Sequence, residues 1–246
     1  MQNKIPKIIH YCWFGKAEKS PEILQCIATW KKMHPDFEIR EWNESNSPKH
    51  PIVVKNLKDK LWAFASDYVR LYAIYHHGGI YLDTDFLLTK SLASLLNQSC
   101  FVAFQYKEKS PFWITNGVCG GIKKHHFFER CLQLLEHHGH SKLNSYISPK
   151  LTSDVINNIS SSYTYGTQMI DDIHILDADS FYHYQRDDIT TNSIDHLIKK
   201  LPSHAYGIHL YEGSWINDSN NWNRYERVIL FLKKIRTKIQ LLLNKN

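Results

Sequence analysis

The stretch Gly78-Gly79-Ile80-Tyr81-Leu82-Asp83-Thr84-Asp85 decides how this chain reads. A glycine pair ends a helical pattern, three apolar residues make a short buried run, and two aspartates follow with one residue between. Along an extended chain side chains alternate faces, so Asp83 and Asp85 point the same way while Thr84 points back. Two carboxylates about 6–7 Å apart along a strand can share one hard divalent cation. Such ions prefer oxygen ligands and are commonly held by one or two carboxylates together with substrate phosphates. The spacing therefore points to a metal–diphosphate site.

Immediately upstream lies the clearest helix, Leu61 to Tyr75. Leu61, Phe64, Ala65, Tyr68, Leu71, Tyr72 and Tyr75 occupy i, i+3, i+4, i+7 positions. Trp62, Ala63, Ala73 and Ile74 make the opposite side apolar too, so the helix is expected to be buried on most of its surface. Asp67 and Arg70 lie on it at i, i+3, within reach of one another. On a surface they are a weak ion pair; on a buried helix they must be paired or engaged by a polar ligand. Gly78 or Gly79 is expected to end the helix.

Further upstream, Lys7 to Trp13 reads as a first strand closed by Phe14-Gly15. Ser20 and Pro21 open a helix as N-cap and first helical residue, running to about Met33 before His34-Pro35. Phe37 to Trp42 alternates as a second strand, and Asn43 to Pro51 reads as loop. The order is β-α-β-α-β with the aspartates at the carboxyl end of a strand, where open α/β sheets bind ligands. Beyond position 100, strands are expected over 101–105, 173–176 and 205–210, and helices over 127–138 and 220–243.

A second triplet, Asp177-Ala178-Asp179, also follows an apolar run. It is an internal control: two aspartates at this spacing are, taken singly, a turn or a solvated strand end more often than a site.

The chain has 246 residues, enough for one sizeable α/β domain, and it is aromatic-rich, with 14 Tyr and 7 Trp. Its formal charge is +6, yet Arg224, Arg227, Lys233, Lys234, Arg236, Lys238 and Lys245 place the excess in the tail and leave the rest near neutral. That argues against a nucleic-acid footprint. Five cysteines without a C-x-x-C pair argue against a disulfide framework or zinc site and for a reducing compartment. No signal peptide or membrane span is read, so a cytoplasmic location is expected. In the tail, Val228, Phe231, Leu232, Ile235, Ile239 and Leu242 repeat at helical spacing among basic residues. This is an amphipathic helix that either lies on the inner face of an anionic membrane or packs on the domain.

Four ordered motifs resemble glycosyltransferase family 32: residues 5–15, residues 63–71, residues 78–85, and Ile208-His209 with Gly213-Ser214-Trp215. The resemblance implies a GT-A type α/β fold over residues 1–219, with a Rossmann-like nucleotide-binding half and a mostly parallel central sheet flanked by helices. The basic helix, residues 220–246, follows it. It further implies a nucleotide-sugar donor (UDP-sugar first, GDP-mannose second), a Mn²⁺ or Mg²⁺ ion, and retention of anomeric configuration. The acceptor is expected to be a glycan or lipid-linked oligosaccharide of a bacterial surface polysaccharide. Trp13 is similar to the family's base-stacking aromatic, Ser66 to a nucleotide contact, and Asp67 and Arg70 to the pair on the donor sugar. Tyr81 is placed beside the ribose, Asp85 as direct metal ligand, and Asp83 as ligand through water. His209 stands as a further ligand, and Ser214 and Trp215 close over the diphosphate. Two readings stay open beside this one: an effector transferase that modifies protein, and a non-catalytic carbohydrate-binding protein.

Overall fold

The computed structural model describes residues 4–107, 113–138, 148–160 and 162–212. Ser214, Trp215 and the expected tail helix lie outside the described residues. The first half runs β1 (Ile8–Cys12), α1 (Pro21–Met33), β2 (Glu38–Trp42), α2 (Pro51–Lys58), α3 (Trp62–His77), β3 (Gly79–Leu82) and β4 (Phe86–Leu88). Then come β5 (Cys100–Phe104), β6 (Ile114–Gly121), α4 (His126–His138), α5 (Ser148–Ile159), β7 (Gln168–Ile170), β8 (Ile173–Leu176), α6 (Arg186–Thr191), α7 (Ile194–Lys200) and β9 (Gly207–His209).

Seven strands form one sheet in the order β2-β1-β3-β6-β5-β8-β7, and β4 pairs with β9 in a small second sheet. Within the large sheet β6 and β7 run against their neighbours, and the other five strands share one direction. The carboxyl ends of β1, β2 and β3 therefore meet at one edge, and the amino end of antiparallel β6 joins them there.

Local chemistry accounts for the elements. The Ser20 hydroxyl accepts from the Ile23 amide and Pro21 occupies the first turn of α1, as its sequence predicts. Helix α3 ends at Gly78, whose φ of 68° lies in the left-handed region that other residues enter at a cost. Its residues Ala65, Tyr68, Val69, Leu71, Ala73 and Ile74 are buried against the sheet, with α2 and α4 along its flanks. On α1, the Trp30 indole donates to the Phe86 carbonyl at 2.7 Å, and the Thr29 hydroxyl accepts from the Leu88 amide at 3.0 Å. These bonds tie β4 to α1.

The strand expected over 205–210 is β9, and it belongs to the small sheet. Its register places His209 opposite Phe86, the residue after Asp85. No helix among the described residues is long and apolar enough to cross a membrane.

Candidate functional site

Arg70 organises the edge where β1, β3 and β6 meet. It extends from α3, buried, and its Nη2 lies 3.3 Å from Asp67 Oδ1 and 3.1 Å from Asp83 Oδ1. Its Nη1 donates to Asp83 Oδ2 at 3.4 Å and to Asn116 Oδ1 at 3.3 Å. The guanidinium carbon sits 4.8 Å from the centroid of the Tyr81 ring, in cation–π range. The sequence spacing offered a surface pair or a buried one; the pair is buried, and Asp83 is a third member of it.

Asp83 is fixed from several sides. Tyr81, two residues earlier on the same face of the strand, donates its hydroxyl to Asp83 Oδ1 at 3.0 Å. The Asp83 amide donates to the Gly117 carbonyl on β6 at 2.9 Å. A Cβ on Gly117 would lie 2.6 Å from Asp83 Oδ2 and 2.8 Å from the Tyr182 hydroxyl, so only glycine lets β6 approach this closely. Burial raises the Asp83 carboxyl above the usual carboxylate range, against the opposing pull of Arg70.

Asp85 has different neighbours. His209 Nε2 lies 3.3 Å from its Oδ1, and the Glu212 amide donates to its Oδ2 at 3.1 Å. Burial would raise the Asp85 carboxyl, but the imidazole charge and its hydrogen bond outweigh this and lower it. The same interaction raises His209 against the effect of its own burial. His209 Nδ1 is buried with no hydrogen-bond partner among the described residues.

The oxygen-rich donor set suits a hard dication such as Mn²⁺ or Mg²⁺. Among the described residues each Asp85 carboxylate oxygen carries one contact with another residue and retains acceptor capacity. Asp83 is already neutralised by Arg70, which leaves Asp85 the better direct ligand.

Trp13 follows β1 at the same edge. Its indole Nε1 donates to the Ala17 carbonyl at 2.7 Å, and it lines a cavity of about 490 Å³ with Lys16, Glu41, Asn43, Glu44 and Ser45. Ser66 takes the local role available to a helix-interior serine: its hydroxyl donates to the Trp62 carbonyl at 3.0 Å.

The structure thus gathers Asp67, Arg70, Tyr81, Asp83, Asp85 and His209, with Trp13 and Ser66 at the margin. It adds Asn116, which the sequence did not single out. Asn116 is fully buried, and its Oδ1 accepts from Arg70 and from the Ser148 hydroxyl. Its Nδ2 has no partner among the described residues.

The control triplet behaves as a turn. Asp177 Oδ1 accepts from the Ser180 amide at 3.0 Å and its Oδ2 from the Thr167 hydroxyl at 2.8 Å; Asp179 is paired with Lys107 and His183. Among the described residues, ligand atoms of Asp177, Asp179 and His204, and of His125, His126 and Asp172, cluster within 4.8 Å. The second group lies at the opposite edge of the sheet. There the His125 Nδ1 accepts from the Phe127 amide at 3.2 Å, and both Nε2 atoms lie 3.0 Å from Asp172 Oδ1. That tautomer places the His125 proton on Nε2, facing the carboxylate at ion-pair distance, while His125 Nε2 and His126 Nδ1 make no hydrogen bond among the described residues.

Residues 20–102 match the family model described as a glycosyltransferase sugar-binding region containing a DXD motif. Inositol phosphoceramide mannosyltransferase 2 of Schizosaccharomyces pombe is 31% identical over 163 residues, which cover 60% of this chain and 42% of that protein. The mannosyl phosphorylinositol ceramide synthase SUR1 of Saccharomyces cerevisiae is 29% identical over 147 residues, covering 54% of this chain and 35% of that protein. The chain thus spans less than half the length of either relative. Among solved structures, the PaToxG glycosyltransferase superposes with a TM-score of 0.55 at 17% identity, covering 64% of this chain and 70% of that one. The fold is of the GT-A type.

Proposed function

The chain carries a DXD-containing glycosyltransferase region on a GT-A fold, and from that premise we propose that it transfers a hexosyl group from a nucleoside diphosphate sugar to a hydroxyl acceptor. The observation that carries the reading is the buried Arg70, which binds Asp67 and Asp83 together at the strand end where Asp85 also lies. Buried charges of this density cost several kcal/mol of desolvation each, of order 5 kcal/mol, unless they serve one another or a ligand.

In this reading Asp85, with Asp83, holds a divalent ion, and His209 keeps the Asp85 carboxylate ionised and oriented. The ion supplies electrostatic stabilisation of the departing diphosphate. Asp67 and Arg70 accept and donate hydrogen bonds to sugar hydroxyls, and so fix the sugar relative to the acceptor. Tyr81 holds Asp83 in place, and Trp13 offers a flat face to the base. Ser214 and Trp215 are proposed, on the resemblance to family 32, to cover the diphosphate.

The same resemblance supports retention of anomeric configuration. Asp67 and Asp83 are each tied to Arg70, and Asp85 to His209. That favours departure and attack on one face of the sugar over a carboxylate nucleophile.

The names of the fungal relatives support a choice of acceptor and sugar. Both describe mannosyl transfer to an inositol phosphoceramide lipid, and the basic amphipathic tail read over 224–246 fits work at an anionic membrane. Together they favour a mannose-type hexose and an acceptor hydroxyl on a lipid-linked glycan or headgroup.

The test is a panel of GDP- and UDP-sugars incubated with the full chain and Mn²⁺ or Mg²⁺, read as release of nucleoside diphosphate with and without lipid-linked acceptors. Metal-dependent release from at least one sugar is expected. Binding without turnover of any of them would favour a carbohydrate-binding role instead.

A further inference from the structure

The cavity beside Trp13 sits over the carboxyl ends of β1 and β2. Trp13 follows β1, and Asn43, Glu44 and Ser45 follow β2. The Trp13 plane is fixed by its indole bond to Ala17 and by its amide, which donates to the Trp42 carbonyl at 2.8 Å. An immobile aromatic face stacks on any flat ring. Discrimination between rings falls to the polar groups around it.

Most of those groups are already spent. Glu41 accepts from the Tyr11 hydroxyl at 2.6 Å and from Lys19 at 2.8 Å. Asn43 Oδ1 accepts from the Ser45 amide at 2.9 Å, and its Nδ2 donates to Glu41 at 3.3 Å.

Two groups are not. Glu44 is anchored by one oxygen, which accepts from the Gly15 amide at 2.8 Å, and its second oxygen has no partner among the described residues. The Lys16 ammonium also has none among them. Lys16 holds a φ of 59°, a left-handed conformation a side-chain-bearing residue adopts at a cost. The cavity wall therefore presents one anchored carboxylate and one ammonium.

We propose that this wall reads guanine, with Glu44 on the Watson–Crick edge and Lys16 on the O6/N7 edge, so that the donor is a GDP-sugar. This rests on the reading that the site holds a nucleoside diphosphate sugar. Guanine offers two adjacent donors, N1–H and the N2 amine, which a carboxylate accepts together. Its O6 and N7 are two adjacent acceptors, the commonest partner of a lysine or arginine on a base. Uracil offers a single N3–H flanked on both sides by carbonyl oxygens, and a carboxylate bonded there faces two like partial charges. The wall thus reverses the order of donors expected from the sequence.

Calorimetric binding of GDP, IDP and UDP to the full chain in the presence of Mn²⁺ tests this. GDP is expected to bind about tenfold or more tighter than UDP, the discrimination of one good base-edge pair. IDP, which lacks the N2 amine, should fall between them. Glu44→Gln keeps an oxygen for the Gly15 amide, and it should weaken GDP while leaving UDP within about twofold. Lys16→Gly relieves the backbone and should still weaken GDP more than UDP. UDP binding as tightly as GDP, or a Glu44→Gln loss equal for both, overturns the guanine assignment and leaves the nucleotide-sugar reading standing. Failure of all three nucleotides to bind removes both.

Discussion

Arg70 shows at the level of one side chain why the site needs this residue type. Its planar fork reaches Asp67, Asp83 and Asn116 at once, which a lysine ammonium cannot do. Arg70→Met is expected to cost about 3–5 kcal/mol in urea unfolding, because the buried Asp67 and the half-buried Asp83 lose their counter-charge. Arg70→Lys should fold better than Arg70→Met, yet lose most turnover. Asp67, Arg70, Asp83 and Asp85 were legible because helical and strand spacing determines which neighbours within one element share a face. Asn116 and Glu44 were not, since their contacts are with other elements: Asn116 with Arg70 of α3, and Glu44 with the Gly15 amide in the loop after β1.

His10, a second buried side chain, has a structural role. The Trp42 indole donates to its Nδ1 at 3.1 Å, so its Nε2 carries the proton and donates to the Gly78 carbonyl at 2.8 Å. Burial is the main cause that lowers its pKa to about 4. The unfolded chain takes up this proton first, from about pH 6.5 downward. The stability His10 contributes is therefore present above pH 6.5 and is lost as pH falls through about 4. The full effect is about 3 kcal/mol. Urea unfolding of wild type and His10→Gln across pH 4 to 7 should show a steeper decline for wild type, and parallel curves would contradict the assignment.

Among elements, β6 brings the most to the site and was the least visible. Gly117, Gly120 and Gly121 lower its strand propensity, and each is required by a neighbour: Asp83, Phe101 and Phe128 respectively. Helices α1 and α3 carry their signals locally, as an N-cap serine with proline and as an unbroken apolar periodicity. They appear within about two residues of their expected bounds. Helix α2 went unread because only eight residues and a His50 cap announce it. The small β4–β9 sheet joins segments more than a hundred residues apart in the chain. Gly117→Ala should reduce turnover by about a hundredfold through displacement of Asp83. Its stability should fall by only about 1–3 kcal/mol, the usual range for overpacking. Steady-state kinetics beside urea unfolding separates the two, and near-normal turnover would detach β6 from the site.

At the scale of the whole molecule, one sheet edge collects the candidate site residues. The cavity at Trp13 lies over β1 and β2, the charged cluster over β3 and β6, and His209 arrives from the small sheet. The order of the resembling motifs made this legible before any distance was known. The proposed base reader was not legible, because it depends on which of several polar side chains the loops leave unpaired. The tail adds a membrane hypothesis on a larger scale: removal of residues 224–246 should release the protein from anionic liposomes in a sedimentation assay. Unchanged sedimentation would assign those residues to the domain instead.

The most direct measurement compares wild type with Asp85→Asn for Mn²⁺-dependent release of nucleoside diphosphate from a nucleotide sugar. Asp85→Asn keeps the shape of the side chain and an acceptor for the Glu212 amide but removes the charge. The account predicts an unaltered fold by circular dichroism and a fall in metal-dependent release of about a hundredfold or more. Release at near wild-type rate, with the same metal dependence, would contradict it.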